Sequence, residues 1–176
     1  MTIKADLDID PVPGRFYTST LAVANSTLAI TAGVMYAIPY RVSKTATYVV
    51  LGVEITTNTA GNFRFGIYND SGGVPGSLKL DAGIVAMGGA LGFKSAVINQ
   101  ILAPGWYWLA FISDATPTVR AITAASALQW TGFTTGLDVT TKPGFTVAQA
   151  YGALPDPFTA GGVLAAINPP RTMIGT

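Results

Sequence analysis

The chain has 176 residues, room for one domain with a full hydrophobic core or one domain with an extended arm. Its formal net charge is +1, from ten basic and nine acidic residues spread along the sequence, which leaves no electrostatic footprint for nucleic acid or an anionic membrane. It has neither cysteine nor histidine, so disulfides, thiolate or imidazole metal ligands and histidine general bases are excluded.

Residues 1–14 read as an N-terminal arm. Asp6, Asp8 and Asp10 alternate with Leu7 and Ile9, and Pro11-Val12-Pro13-Gly14 ends the segment in a turn. The aspartates project the same way from an extended chain, a spacing compatible with calcium. The glycine and closing glutamate of an EF-hand loop are missing, however, which favours a solvated arm. From Phe16 to Thr56, β-branched and apolar runs predict strands over Phe16–Leu21, Leu28–Thr31, Met35–Val42 and Thr47–Thr56. Period-2 geometry puts Val49, Leu51, Val53 and Ile55 on one face of the last of these and Tyr48, Val50, Gly52 and Glu54 on the other. Pro39 cannot donate to a ladder, so the strand carrying it is expected at an edge or at a bulge.

Phe63-Arg64-Phe65-Gly66-Ile67-Tyr68 forms the next predicted strand, followed by an Asn69-Asp70-Ser71-Gly72-Gly73-Val74-Pro75-Gly76 turn. Leu78–Val85 offers another strand, or two short ones around Gly83, and Phe93–Leu102 follows a looser glycine segment. In Gly105-Trp106-Tyr107-Trp108-Leu109-Ala110-Phe111 both faces are apolar, whereas a strand of an isolated two-layer sandwich shows one polar face. Its second face is expected to pack on another subunit or another part of the chain. Thr118–Thr123 completes the series. With no sustained helical period before residue 125, residues 15–130 are predicted to form an all-β, antiparallel, jelly-roll-like β-sandwich, a closed barrel being the main alternative. Residues 131–176 are rich in Gly, Pro, Thr and Ala, with four prolines between 155 and 170 that forbid long elements. They carry too many apolar side chains for a disordered tail and read as an extended C-terminal arm docking on its own or a neighbouring subunit.

Only 11% of residues are charged, against about 25% in an ordinary soluble domain. Such a chain enters a membrane or buries much of its exterior against other subunits. The longest charge-free stretch, Phe16–Tyr40, is broken by Asn25, Ser26, Gly33 and Pro39, which argues against a membrane helix. Met1-Thr2-Ile3-Lys4-Ala5-Asp6 does not begin a signal peptide. Dense assembly is the better explanation.

Candidate chemistry is sparse. Glu54, the lone glutamate, reads as a solvated or salt-bridged strand residue, and nothing in the spacing pairs Asp70, Asp81 or Asp114 for glycoside hydrolysis. The Asn69–Gly73 run has oxygen ligands for calcium, but a tight turn wants the same residues. No phosphate loop is present. Aromatic rings that stack on sugars leave Tyr68 and Trp130 as candidates for an exposed ligand surface; Trp106 and Trp108 read as core or interface packing.

Phe63-Arg64-Phe65-Gly66-Ile67-Tyr68-Asn69-Asp70, then Gly73-Val74-Pro75-Gly76-Ser77-Leu78 and Leu102-Ala103-Pro104-Gly105-Trp106-Tyr107-Trp108-Leu109-Ala110, resembles a β-sandwich module of tailed-bacteriophage virion proteins over residues 45–115. Tyr151-Gly152-Ala153-Leu154-Pro155-Asp156-Pro157-Phe158 is similar to a segment that follows such modules. The resemblance implies structural and adhesive work in a virion, often as a homotrimer, without cofactors and without catalytic residues to carry over. The expectation is thus a non-enzymatic virion component assembled in the host cytoplasm. A tail-fibre or host-recognition part contacting other virion proteins and a host glycan or receptor is favoured. A capsid decoration protein and a glycan-binding or glycan-degrading tail protein are the alternatives.

Overall fold

Alternating branched and aromatic side chains, punctuated by Gly, Asn and Asp, fold into strands throughout. The computed structural model describes residues 11–18, 24–57, 59–127 and 141–176. The strands are β1 (Phe16–Thr18), β2 (Asn25–Ala29), β3 (Val34–Val42), β4 (Ala46–Thr57), β5 (Asn62–Asp70), β6 (Pro75–Ala86), β7 (Gly92–Leu102), β8 (Gly105–Ser113), β9 (Thr118–Ile122), β10 (Gly144–Ala148), β11 (Val163–Ala165) and β12 (Met173–Gly175). A single 3-10 turn at Ala124–Ser126 is the only helical element among the described residues.

All pairings are antiparallel, and they build two sheets. In sheet A, β7 covers one side of β4, while β12 and β9 share the other side, opposite Val50–Gly52 and Ile55–Thr57. β1 pairs with β12 and β2 with β9, so β1 and β2 follow one another along the outside as one interrupted strand. Sheet B has the order β11-β10-β3-β8-β5-β6. Taking β1 and β2 together, the chain winds as β2-β9-β4-β7 in one sheet and β3-β8-β5-β6 in the other, the two-sheet Greek-key order of a jelly roll. The sheets do not close into a barrel.

Between the sheets lie Leu51, Val53 and Ile55 of β4 against Phe63, Phe65 and Phe111, all buried. Phe111 stacks on Tyr36 at 5.3 Å and meets the edge of Phe63 at 5.8 Å between ring centroids.

Two local expectations are corrected, and one pair of alternatives is resolved. Val49 does not share the core face of β4. The register shifts between Tyr48 and Val50, where Val49 alone lies opposite Ile98 and Asn99 of β7; Tyr48 takes the buried position and Val49 turns outward. Pro39 does not place β3 at an edge along its whole length, since β3 is flanked by β8 and β10 over Val34–Ala37. Among the described residues β10 ends opposite Ala37, so Pro39 interrupts no ladder on that side. Leu78–Val85 belongs to a single strand, β6, kinked rather than divided at Gly83. Ala82 is the extra residue of a bulge, and Gly83 takes φ +80°, which glycine adopts without penalty.

The described part of the C-terminal arm docks on its own subunit as β10, β11 and β12, with strands of three to five residues where prolines allow them. Residues 1–10, Trp130 and the boundary expected near residue 130 lie outside the described residues.

Candidate functional site

The tryptophan strand β8 faces two cores. Tyr107, Leu109 and Phe111 look into the inter-sheet core, while Trp108, Ala110 and Ile112 join a second core on the outer face of sheet B. Phe145, Val147, Leu154 and Phe158 cover that outer face, so another part of the same chain satisfies the second apolar surface. Trp108 is 2% exposed; its ring meets the edge of Phe145 at 5.3 Å, and its indole N–H donates to Asp70 Oδ1 at 2.9 Å.

Tyr68 is fully buried, at 0% exposure, which corrects its reading as an exposed stacking ring. Phe158 packs edge-on at 5.2 Å, and the Tyr68 hydroxyl donates to the Pro155 carbonyl at 2.9 Å. Burial pushes the Tyr68 phenol well above its ordinary range, and the Asp81 and Asp156 carboxylates push it further. Trp106 is half-buried at the end of β8, with the Arg41 guanidinium 5.7 Å from its ring centroid, a cation–π contact across the β3–β8 pair.

Residues 151–158 form a strap latched by polar groups that nothing in the sequence singles out. Asp81 accepts from Arg64 Nε at 2.8 Å and from the amides of Gly83 and Leu154 at 3.0 and 3.1 Å. Its ion pair with Arg64 closes to 2.7 Å. Burial alone would raise the Asp81 carboxyl, but the Arg64 guanidinium and these amides outweigh it and hold the carboxyl below its usual range. Leu78 N–H donates to Asp156 Oδ1, and Phe158 N–H to the Gly76 carbonyl, both at 2.9 Å.

The acidic candidates serve the fold. Asp70 also accepts the Gly73 amide, closing the glycine turn, and Asp114 receives the Asn62 amide at 2.6 Å. Asn62 and Asp70 are the two ends of β5, about 27 Å apart in an extended strand, and Asp81 sits about midway, near Gly66. Glycoside hydrolysis needs two carboxyls within about 10 Å, so this trio supplies no pair. Glu54 forms a two-pronged ion pair with Arg120, at 3.0 Å for its shorter contact. Among the described residues, no three acidic side chains converge on a metal position, and no helix is long and apolar enough to cross a membrane.

The outer face of sheet A differs from that of sheet B. Val97 of β7 is 89% exposed, Ile101 61% and Phe16 of β1 55%, with Val49 and Phe93 beside them. Val50 pairs with Val97, and Gly52 and Gly175 lie on adjacent strands, so no side chain separates Phe16 from Phe93 there. The two rings meet edge to face at 5.2 Å. The signal is present in the sequence: Phe93, Val97 and Ile101 share one parity of β7 with Ser95 and Asn99, while Ala96, Ile98 and Leu102 share the other, so both faces of this strand carry large apolar side chains.

Comparison with protein-family models, with curated proteins and with solved structures found no match to this chain.

Proposed function

We propose that the chain is a non-enzymatic structural protein of a bacteriophage virion, a tail-fibre or host-recognition component that works by homo-oligomeric assembly and binding. The observation that carries the assembly part is the outer face of sheet A. There, apolar side chains of three strands stand exposed on a rigid sandwich whose sequence is 11% charged. The tryptophan strand no longer contributes to this reading, because the chain itself covers its second face. The virion context rests on the resemblance of Phe63–Asp70 and Leu102–Ala110; the first falls on β5 and the second runs from the end of β7 into the neighbouring strand β8, with Tyr68 opposite Trp108.

Two measurements test the reading. Native mass measurement at micromolar concentration is expected to give a homo-oligomer, and a stable monomer counts against assembly. Antibody labelling of particles purified from a culture that produces the protein is expected to mark the tail. Label over the head would favour capsid decoration, and particles without label would remove the virion assignment.

A further inference from the structure

An apolar sheet face is ordinarily satisfied by a second layer about 10 Å away. Sheet A has such a layer inside, in sheet B. Its outside presents Val97, Ile101, Val49, Phe16 and Phe93 to solvent instead. Each of these side chains is uncharged, and the Glu54 and Arg120 charges carried by β4 and β9 neutralise one another. A face with no charge at its centre, and with Arg15 exposed only at its rim beside Phe16, has little to match in a charged partner and little to repel in its own copy.

We propose that the outer face of β7, β4, β12 and β1 is the surface on which a second copy of this chain packs, an inference that rests on the reading of the protein as self-assembling. Its size fits. Phe93 to Ile101 spans about 27 Å along β7, and four strands with their side chains span about 20 Å across, giving roughly 500 Å² per copy. Two such faces bury about 1,000 Å², the lower bound for a specific interface, so the contact is exchangeable rather than permanent unless further surfaces join it. β7 adds a free edge, since among the described residues it pairs only with β4. Val97, the most exposed of the set, stands near the middle of β7, where copies related by a rotation axis meet.

The absence of cysteine makes the test direct. Val97→Cys is expected to give copper-catalysed cross-links between copies, while Ile84→Cys, exposed on β6 of the other sheet, gives few. Val97→Asp is expected to weaken association by tenfold or more in native mass measurement while the separated subunit keeps the wild-type circular dichroism, because the side chain is exposed on the single subunit. Ile84→Asp, an exposed apolar position on β6, is the control and should leave association unchanged. An oligomer that survives Val97→Asp and falls apart with Ile84→Asp overturns the assignment of this face and leaves the assembling role intact. A monomeric wild type overturns both. If the thiol of the Val97→Cys variant of such a monomer reacts with a thiol reagent only after residues 1–10 are deleted, the chain's own Ile3, Leu7 and Ile9 side, rather than a second copy, occupies the face.

Discussion

Trp108 concentrates the side-chain energetics of sheet B. Among the described residues it is the largest of the fully buried side chains, packed on the same face of the sheet as Phe145 in one cluster with Leu154 and Phe158, with its one polar atom satisfied by Asp70. Trp108→Ala removes the ring and one of the two donors to the Asp70 carboxylate, and is expected to cost about 3–5 kcal/mol in urea denaturation. A loss below about 1 kcal/mol would mean that the strap closes over the vacancy or does not pack there. The burial of Trp108 was legible in its apolar sequence neighbours. That of Tyr68 was not, because its cover comes from Pro155 and Phe158, nearly ninety residues along the chain, and no local pattern reports on so distant a contact. Val49 escapes the sequence pattern for a related reason: strict alternation has no means of anticipating a bulge, which is set by the register of the partner strand β7.

At the scale of elements, the strap over residues 151–158 is seated at Leu154 by one carboxylate, Asp81, and one glycine, Gly66. Gly66 leaves the space that Leu154 fills: a Cβ there would collide with Leu154 Cδ1 and with the Leu80 carbonyl, and the backbone oxygen cannot yield. Gly66→Ala is therefore expected to destabilise by about 1–3 kcal/mol and to raise hydrogen exchange in the strap before the rest of the fold. The Asp81 latch is sensitive to acid. Its folded-state carboxyl lies below the ordinary value of about 3.9, so the stabilisation is complete above that pH and disappears as the pH falls through the folded value. Asp81→Asn is expected to be less stable than wild type by about 1–2 kcal/mol at pH 7, and the gap should close below about pH 4. A gap unchanged between pH 7 and pH 3 would show that the carboxylate charge does not hold the strap. None of this was legible in the sequence, where Asp81 and Arg64 are seventeen residues apart and meet only because the Ala82–Gly83 bulge re-aims β6.

On the scale of the whole molecule, the jelly-roll-like sandwich was legible because six of its eight strands run nine to twelve residues and most are bounded by glycine or proline turns. The closing of sheet A was not. β12 has three residues, too few for periodicity to register, yet it fills the place between β4 and β1 and buries Ile174 completely. The segment before it continues the ladder, with Ile122 and Arg171 amides bonded to the Pro169 and Arg120 carbonyls, and the Thr176 hydroxyl and carbonyl engage Val12 and Gly14. Sheet A is thus fastened by the last strand to form in chain order, and β1 has no other partner among the described residues. Removing residues 169–176 deletes these ties together and leaves the core beneath Ile174 open to water. A loss of roughly 4 kcal/mol follows from the buried side chain and the broken bonds. For a domain of this size that corresponds to a fall of about 8–16 °C in melting temperature. Ile174→Ala, which keeps every backbone bond, should show a smaller fall. Equal losses in the two variants would place the stabilisation in the side chain alone. A truncated chain that melts like wild type would mean that the β4–β7 and β2–β9 pairs hold sheet A without β12.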